Sequence, residues 1–296
     1  MIRLSWVVFL HAALLSAESI AVEILTTQLQ LSPLVIAGNS ILIAGIALFS
    51  ITVARDGRQA VSVFKSWKYL LPSSALVALG VFAWYDSVTN IGASKEGLLA
   101  GPLETVIILI LARTILKEKL SSIKSKGALI ALAGFFVTVM SAGNAELIIT
   151  WGDIEAVISA ASFAAGIVLI TKMTKTHSAL QITSSSLLIS GIVLSGVLWL
   201  GGPEISGTDW AILAAFSILP LLAALTYVVG LARIGASMTS TIASFSILLT
   251  VVFQLILLAL GFEVILPSLV PLAIVGGILG VFGIFLIHRK RGNELL

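Results

Sequence analysis

The chain has no cysteine among its 296 residues. Disulfides, thiolate metal sites and cysteine nucleophiles are thereby excluded. Charge is also scarce: Asp, Glu, Lys and Arg make up 10% of the residues, against about 25% in an average soluble domain. So few charges cannot solvate the surface of a water-soluble protein of this length. Catalytic and nucleotide signatures are missing as well: there is no P-loop, no His-Glu-x-x-His, no Gly-x-Ser-x-Gly and no dinucleotide fingerprint. The histidines, His11, His177 and His288, are scattered. No metal, no cofactor and no enzymatic activity is expected.

What is present is apolar. Hydrophobic residues make up 58% of the chain and the mean hydropathy is +1.14. A membrane-spanning helix needs about 20 apolar residues to cross about 30 Å of hydrocarbon. Ten such runs are found, over 5–26, 32–53, 69–91, 94–116, 123–142, 151–172, 180–200, 210–231, 238–260 and 268–288. Each is too long for a strand, and a backbone in lipid must satisfy its own polar groups, so each run is predicted to be helical. The start, with Arg3, an apolar core from Trp6 to Leu15 and the small pair Ser16-Ala17, also fits a signal peptide. Removing it would leave nine spans and put the remaining loops out of register with their charges, so it is read as the first span.

Positive charge is almost lacking on one side of the bilayer. With the amino terminus inside, 16 of the 17 Lys and Arg residues fall on the cytoplasmic side. They are Arg3, the set Arg55, Arg58, Lys65 and Lys68, the set Arg113, Lys117, Lys119, Lys124 and Lys126, the pair Lys172 and Lys175, then Arg233, Arg289, Lys290 and Arg291. Lys95 alone is assigned to an exterior loop, together with the acids Glu146, Asp153, Glu204, Asp209 and Glu263. Cations stay on the cytoplasmic side during insertion, so both termini are predicted to be cytoplasmic. Trp151, Trp199 and Trp210 fall at exterior span ends, where indoles anchor at the lipid–water boundary. The pI of 9.3 reflects juxtamembrane cations that meet anionic lipid rather than nucleic acid. An integral protein of the cytoplasmic membrane is expected.

The chain repeats itself. Ile91-Gly92-Ala93-Ser94 returns as Ile234-Gly235-Ala236-Ser237, each copy joining the third and fourth helices of its half. Gly127 with Gly134, and Gly276 with Gly283, are spaced by two helical turns, so each pair lies on one helix face and admits a close neighbour. The predicted fold is an all-α polytopic membrane protein of two five-helix repeats, 1–145 and 146–296, packed as one membrane domain. Five is odd, so the second repeat must enter the membrane in the opposite sense. Inverted repeats of this kind support alternating access.

The stretch 90–134, with Pro102 in a helix, Glu118-Lys119-Leu120 at a helix end and then Gly127 and Gly134, resembles the drug/metabolite transporter superfamily, in its ten-helix EamA-type branch. The Trp151-Gly152-Asp153 opening of the second half is similar to the family too. The resemblance covers essentially the whole chain and implies a carrier for amino acids or other small metabolites, often an exporter.

Polar groups within the spans are the candidate site residues. Glu18 and Glu104 fall near the middle of the first and fourth spans. A carboxyl at that depth costs about 2.5–3.5 kcal/mol on insertion scales, so each is expected to face a cavity and to take a proton or an ammonium group. Glu104 follows Gly97, Gly101 and Pro102, a combination that allows close packing and a kink. His11 is two turns before Glu18 on the same face, placed to relay a proton or to pack as an ordinary hydrogen-bonded residue. Glu23 and Asp86 are predicted near the exterior ends of their helices, lining an outer vestibule or simply solvated. Trp84 and Tyr85 can wall a cation or ring, or anchor at the interface. In the second half, Tyr227 and Gln254 are the main polar candidates beside Thr226, and Pro220 would bend its helix.

These features point to a secondary transporter of small metabolites, with amino acids or amines as substrates. It would be driven by protons or by exchange, with export possible. The partners expected are a small-molecule substrate, membrane lipid and protons. A membrane-embedded lipid-handling protein or enzyme, and a non-transporting membrane subunit, are the alternatives.

Overall fold

A computed structural model describes residues 2–115, 122–141, 149–202, 205–243 and 245–288. The sequence assignments of Lys117, Glu118, Lys119, Leu120, Glu146, Glu204, Arg289, Lys290 and Arg291 lie outside the described residues, as does the junction of the two repeats at 145/146. So do the side chains of Arg3, Arg113 and Lys124. Among the described residues all regular structure is helical. The helices are α1 (Ile2–Thr27), α2 (Pro33–Asp56), a 3-10 helix (Gly57–Ser66), α3 (Trp67–Ile91), α4 (Ala93–Ile115), α5 (Ser122–Met140), α6 (Trp151–Met173), α7 (Ala179–Leu200), α8 (Gly207–Phe216), α9 (Ile218–Ala243), α10 (Phe245–Ala259) and α11 (Val270–His288).

Local chemistry fixes many helix starts. Ser32 accepts the amide of Val35 and Pro33 opens α2, as favoured at an N-terminus where one donor is free in any case. Capping boxes open α6 (Thr150 with Asp153), α7 (Ser178 with Gln181) and α8 (Ser206 with Asp209). Five helical stretches are apolar and long enough to cross a membrane: Trp6–Thr27, Pro33–Ile91, Trp151–Met173, Ala179–Leu200 and Gly207–Gly230. The second of these holds both α2 and α3, and shorter apolar helices accompany them. Large apolar side chains such as Leu129, Ile192, Ile256 and Phe282 point outward, as expected of a surface solvated by acyl chains. Trp151 and Trp199 are exposed, and Trp199 stacks on Trp210 with 13° between the ring planes.

Helices pair across the two halves in an exchange-symmetric way. The second helix of each half meets its counterpart (α2 on α7), and so does the fifth (α5 on α11); α3 on α6 is matched by α1 on α9, and α4 on α6 by α1 on α10. The α2–α7 contact shows the relation at atomic detail. A Cβ on Gly45 would stand 2.6 Å from Leu188 Cα, and a Cβ on Gly191 would meet Leu42 just as closely. These are one contact with the halves exchanged. As the chain advances along α2 it meets earlier positions of α7, so the two helices run antiparallel. The α5–α11 pair repeats the pattern: Gly134 meets the backbone of Gly276 and Gly280, while Gly283 meets that of Ala131 and Gly127. Only hydrogen in place of Cβ permits such backbone approach.

Three local expectations need correction. The connection 54–68 is helical rather than an open loop, because α2 runs to Asp56 and the 3-10 helix follows. The eighth apolar run breaks into α8 and α9 at Ser217, whose hydroxyl is turned onto the Ala214 carbonyl. The connection at 234–237 keeps helical backbone within α9, yet the chain still turns back there. A Cβ on Gly230 would stand 2.9 Å from Thr239 Cγ2, whereas nine residues of straight helix advance about 13 Å. Its counterpart in the first half is a sharp turn at Gly92 (φ 82°), where the Ile265 carbonyl leaves no room for a Cβ.

Candidate functional site

A cavity of about 280 Å³ lies between the halves. Its wall is mostly apolar, with Ile41, Val77, Val81, Phe163, Ile247 and neighbouring aliphatic groups. Three carboxylates interrupt that wall: Glu18 from α1, and Glu96 and Glu104 from α4. Among the described lining residues there is no Lys or Arg.

Each acid is set differently. Glu18 is 2% exposed and accepts a 2.7 Å hydrogen bond from the Tyr85 hydroxyl. Tyr85 is itself fully buried and stands behind the wall rather than in it. Glu96 is 3% exposed and lies beside the indole N–H of Trp84, which does line the cavity. Adjacent aromatic residues of α3 therefore hold acids from two other helices. Glu104 is less enclosed, one helical turn from Gly101, and Pro102 directs its ring onto Gly280 of α11. Gly97 and Gly101 also line the space, and side chains there would fill it.

His11 and Tyr227 lie together on the wall, with ring centroids 4.9 Å apart. His11 Nδ1 is 2.9 Å from the Ala223 carbonyl. A carbonyl only accepts, so Nδ1 carries the proton and Nε2 is left as the ring's remaining polar position. Pro220, Ser19, Ser159, Thr183, Ser186, Ser246 and Thr250 complete the polar and kinked parts of the lining.

The cavity extends from the level of Trp84 and Glu96 toward Ile108, Ile170, Ile182 and Thr183, that is, toward the end where α6 finishes and α7 begins. The opposite end is closed by polar contacts. Glu23, fully buried at the end of α1, accepts the Ala93 amide at 2.8 Å and Gln254 Nε2 at 2.5 Å, together with the amide of Ile265. Gln254 in turn accepts the Ser94 amide. Lys95 and Asp153 form an ion pair of 2.5 Å with each side chain 3% exposed. Asn90 donates to Glu155 and Ser87 to the Gly152 carbonyl.

The structure thus brings His11, Glu18, Trp84, Gly97, Gly101, Glu104, Pro220 and Tyr227 to one cavity. Glu23 and Gln254 form the closure at one end instead, and Glu23 is neither solvated nor part of a vestibule. Asp86 is near Glu155, outside the cavity. Thr226 turns its hydroxyl onto the Leu222 and Ala223 carbonyls. Gly134, Gly276 and Gly283 serve the α5–α11 contact, against which Gly127 supplies a carbonyl. Lys95 and Asp153 are not loop residues in water but a buried pair. Glu96 was missed by sequence reasoning. Its signal was the spacing to Glu104, two helical turns and a fraction, which leaves both on one broad face of α4.

No curated protein matches the chain in sequence. One solved structure, described only as the crystal structure of a protein, shares 19% sequence identity, covers 99% of this chain and 99% of its own, and superposes with a TM-score of 0.68. That likeness shows a common fold and nothing further. The model of the EamA-like transporter family matches the chain twice, over residues 4–140 and again over 150–289. Two tandem matches spanning nearly all of an apolar helical chain leave one assignment: the protein is an integral membrane protein and belongs to the EamA-like transporter family.

Proposed function

We propose that the protein is a secondary carrier of small amines or amino acids, working by alternating access and driven by protons or by exchange. The observation that carries this reading is the acid-bearing cavity walled by helices of both halves. A site between two exchange-related halves changes its exposure when one half rocks against the other. In this reading the chain crosses the cytoplasmic membrane ten times, with α8 and the first part of α9 as one span. Repeats 1–145 and 146–296 are inserted in opposite senses, and both termini are cytoplasmic. The antiparallel α2–α7 and α5–α11 contacts support the inversion.

With that orientation the cavity leads toward the cytoplasm and the Glu23 and Lys95 contacts seal the exterior. The conformation is then the one that loads an exported substrate. Glu18 and Glu104 exchange protons for substrate, and His11 lies between Glu18 and the inner face. The test is flux in proteoliposomes with an imposed pH gradient and a panel of labelled amines and amino acids. Saturable uptake that collapses with a protonophore, or that is stimulated by unlabelled solute on the far side, is expected. A panel with no saturable flux contradicts the reading.

A further inference from the structure

The three cavity carboxylates are not equivalent in position. Glu18 and Glu96 flank the Trp84-Tyr85 pair at the closed end. Glu104 is eight residues further along α4, about 12 Å of backbone at the helical rise, toward the open end, and its carboxyl is near enough to that of Glu96 for their charges to interact. The wall between these levels is aliphatic and aromatic, including Val77, Val81 and Phe163. Two hydroxyls add to the picture. Ser19 and Ser159 are 5% and 1% exposed, line the cavity, and have no hydrogen-bond partner among the described residues. Both side chains lie on the cavity wall, so these hydroxyls are available to a ligand.

We infer that the cavity takes a linear aliphatic amine with two or more ammonium groups. One ammonium sits at the Glu18–Glu96 level with Ser19 and Ser159, and the other at Glu104, with the methylene chain along the apolar wall. This rests on the carrier reading and narrows its substrate class. A four-carbon diamine places its nitrogens up to about 6 Å apart, and with a charge-assisted hydrogen bond of about 2.8 Å at each end it bridges carboxylates up to about 12 Å apart. A monoamine leaves one level of acid without a countercharge. A zwitterion brings a carboxylate into a cavity with no Lys or Arg among its described lining residues. Each ammonium that displaces a proton from a carboxyl releases that proton, so a diamine seated on two protonated acids releases two.

The experiment measures equilibrium binding to the full chain in lipid nanodiscs, using 1,4-diaminobutane, 1-aminobutane, 4-aminobutanoate and phenylalanine. The diamine is expected to bind at least about tenfold tighter than the monoamine. Glu104→Gln, which removes the only acid proposed for that end, should bring the two within about twofold, whereas Glu96→Gln leaves Glu18 at its level and should lower the diamine preference by less; the unliganded melting curve is recorded for each. Should a Gln variant be too unstable, Glu104→Asp withdraws one acid and should shift the best diamine toward a longer chain. Equal or weaker binding of the diamine, or tightest binding of a zwitterion, overturns the inference. Saturable flux of monoamines or amino acids without diamine preference overturns it while leaving the carrier reading intact. Diamine binding without flux of any solute leaves the binding inference standing and removes the carrier reading.

Discussion

The hydroxyl of Tyr85 on α3 donates a 2.7 Å hydrogen bond to Glu18 on α1 in a position closed to solvent. A cavity carboxylate is thus aimed by a residue that does not itself line the cavity. Tyr85→Phe keeps the ring and removes the donor. A buried acceptor left without its partner costs about 1–3 kcal/mol, so the thermal midpoint should fall. Substrate affinity should fall as well, because Glu18 is no longer held. A melting curve and a binding isotherm check both; unchanged values in both would mean that the bond does not position Glu18.

The Lys95–Asp153 pair gives a prediction by charge. Lys95→Met removes the one charge partner of Asp153 Oδ1 among the described residues and leaves a buried carboxylate behind. Breaking one side of a buried ion pair costs about 3–5 kcal/mol. Adding Asp153→Asn should recover most of that loss. Thermal denaturation of the single and double variants measures the coupling, and a double variant as unstable as the single would contradict it.

Exchange symmetry predicts matched effects at matched glycines. Gly45→Ala and Gly191→Ala each push a methyl group against backbone of the facing helix. Overpacking of that kind costs about 1–3 kcal/mol, and the two should be similar. Gly196 has nothing within 4 Å of an added Cβ, so Gly196→Ala should be neutral or stabilising by up to about 1 kcal/mol. Chemical or thermal unfolding of the three variants is the check.

The closed end should open when its clasp is weakened. Glu23 accepts from Ala93, Gln254 and Ile265 with two carboxylate oxygens, whereas glutamine has one accepting oxygen. The chain lacks cysteine, so a single Cys placed at Gly97, which lines the cavity beside Glu96 and has open space at its Cβ position, reports access cleanly. Glu23→Gln should raise its labelling rate by a membrane-impermeant maleimide added outside. An unchanged rate would mean that Glu23 does not hold the closure.

Much of this architecture is legible in the residues. Gly127, Gly134, Gly276 and Gly283 announce a tight helix contact because their spacing along one helix face is a local property. Glu18 and Glu104 stand out because an acid in an apolar run is costly wherever it points. Gly45 and Gly191 went unread: a lone small residue carries no periodicity, and only the facing helix makes it necessary. Lys95 and Glu96 look like a solvated helix start because adjacent opposite charges usually are one. Their fates diverge only in three dimensions, where Lys95 meets Asp153 of α6 and Glu96 turns toward Trp84. The small residues at 234–237 signal a turn, and the chain does turn there, yet with helical backbone.

The decisive measurement is pH-gradient-driven accumulation of labelled amine by reconstituted protein, wild type against Glu18→Gln/Glu104→Gln, at equal and verified incorporation. Loss of these two acids should abolish accumulation against the gradient, because Glu96 then remains as the one carboxylate among the described lining residues and cannot exchange protons for substrate by itself. Accumulation by the double variant at the wild-type rate would mean that these carboxylates do not couple transport.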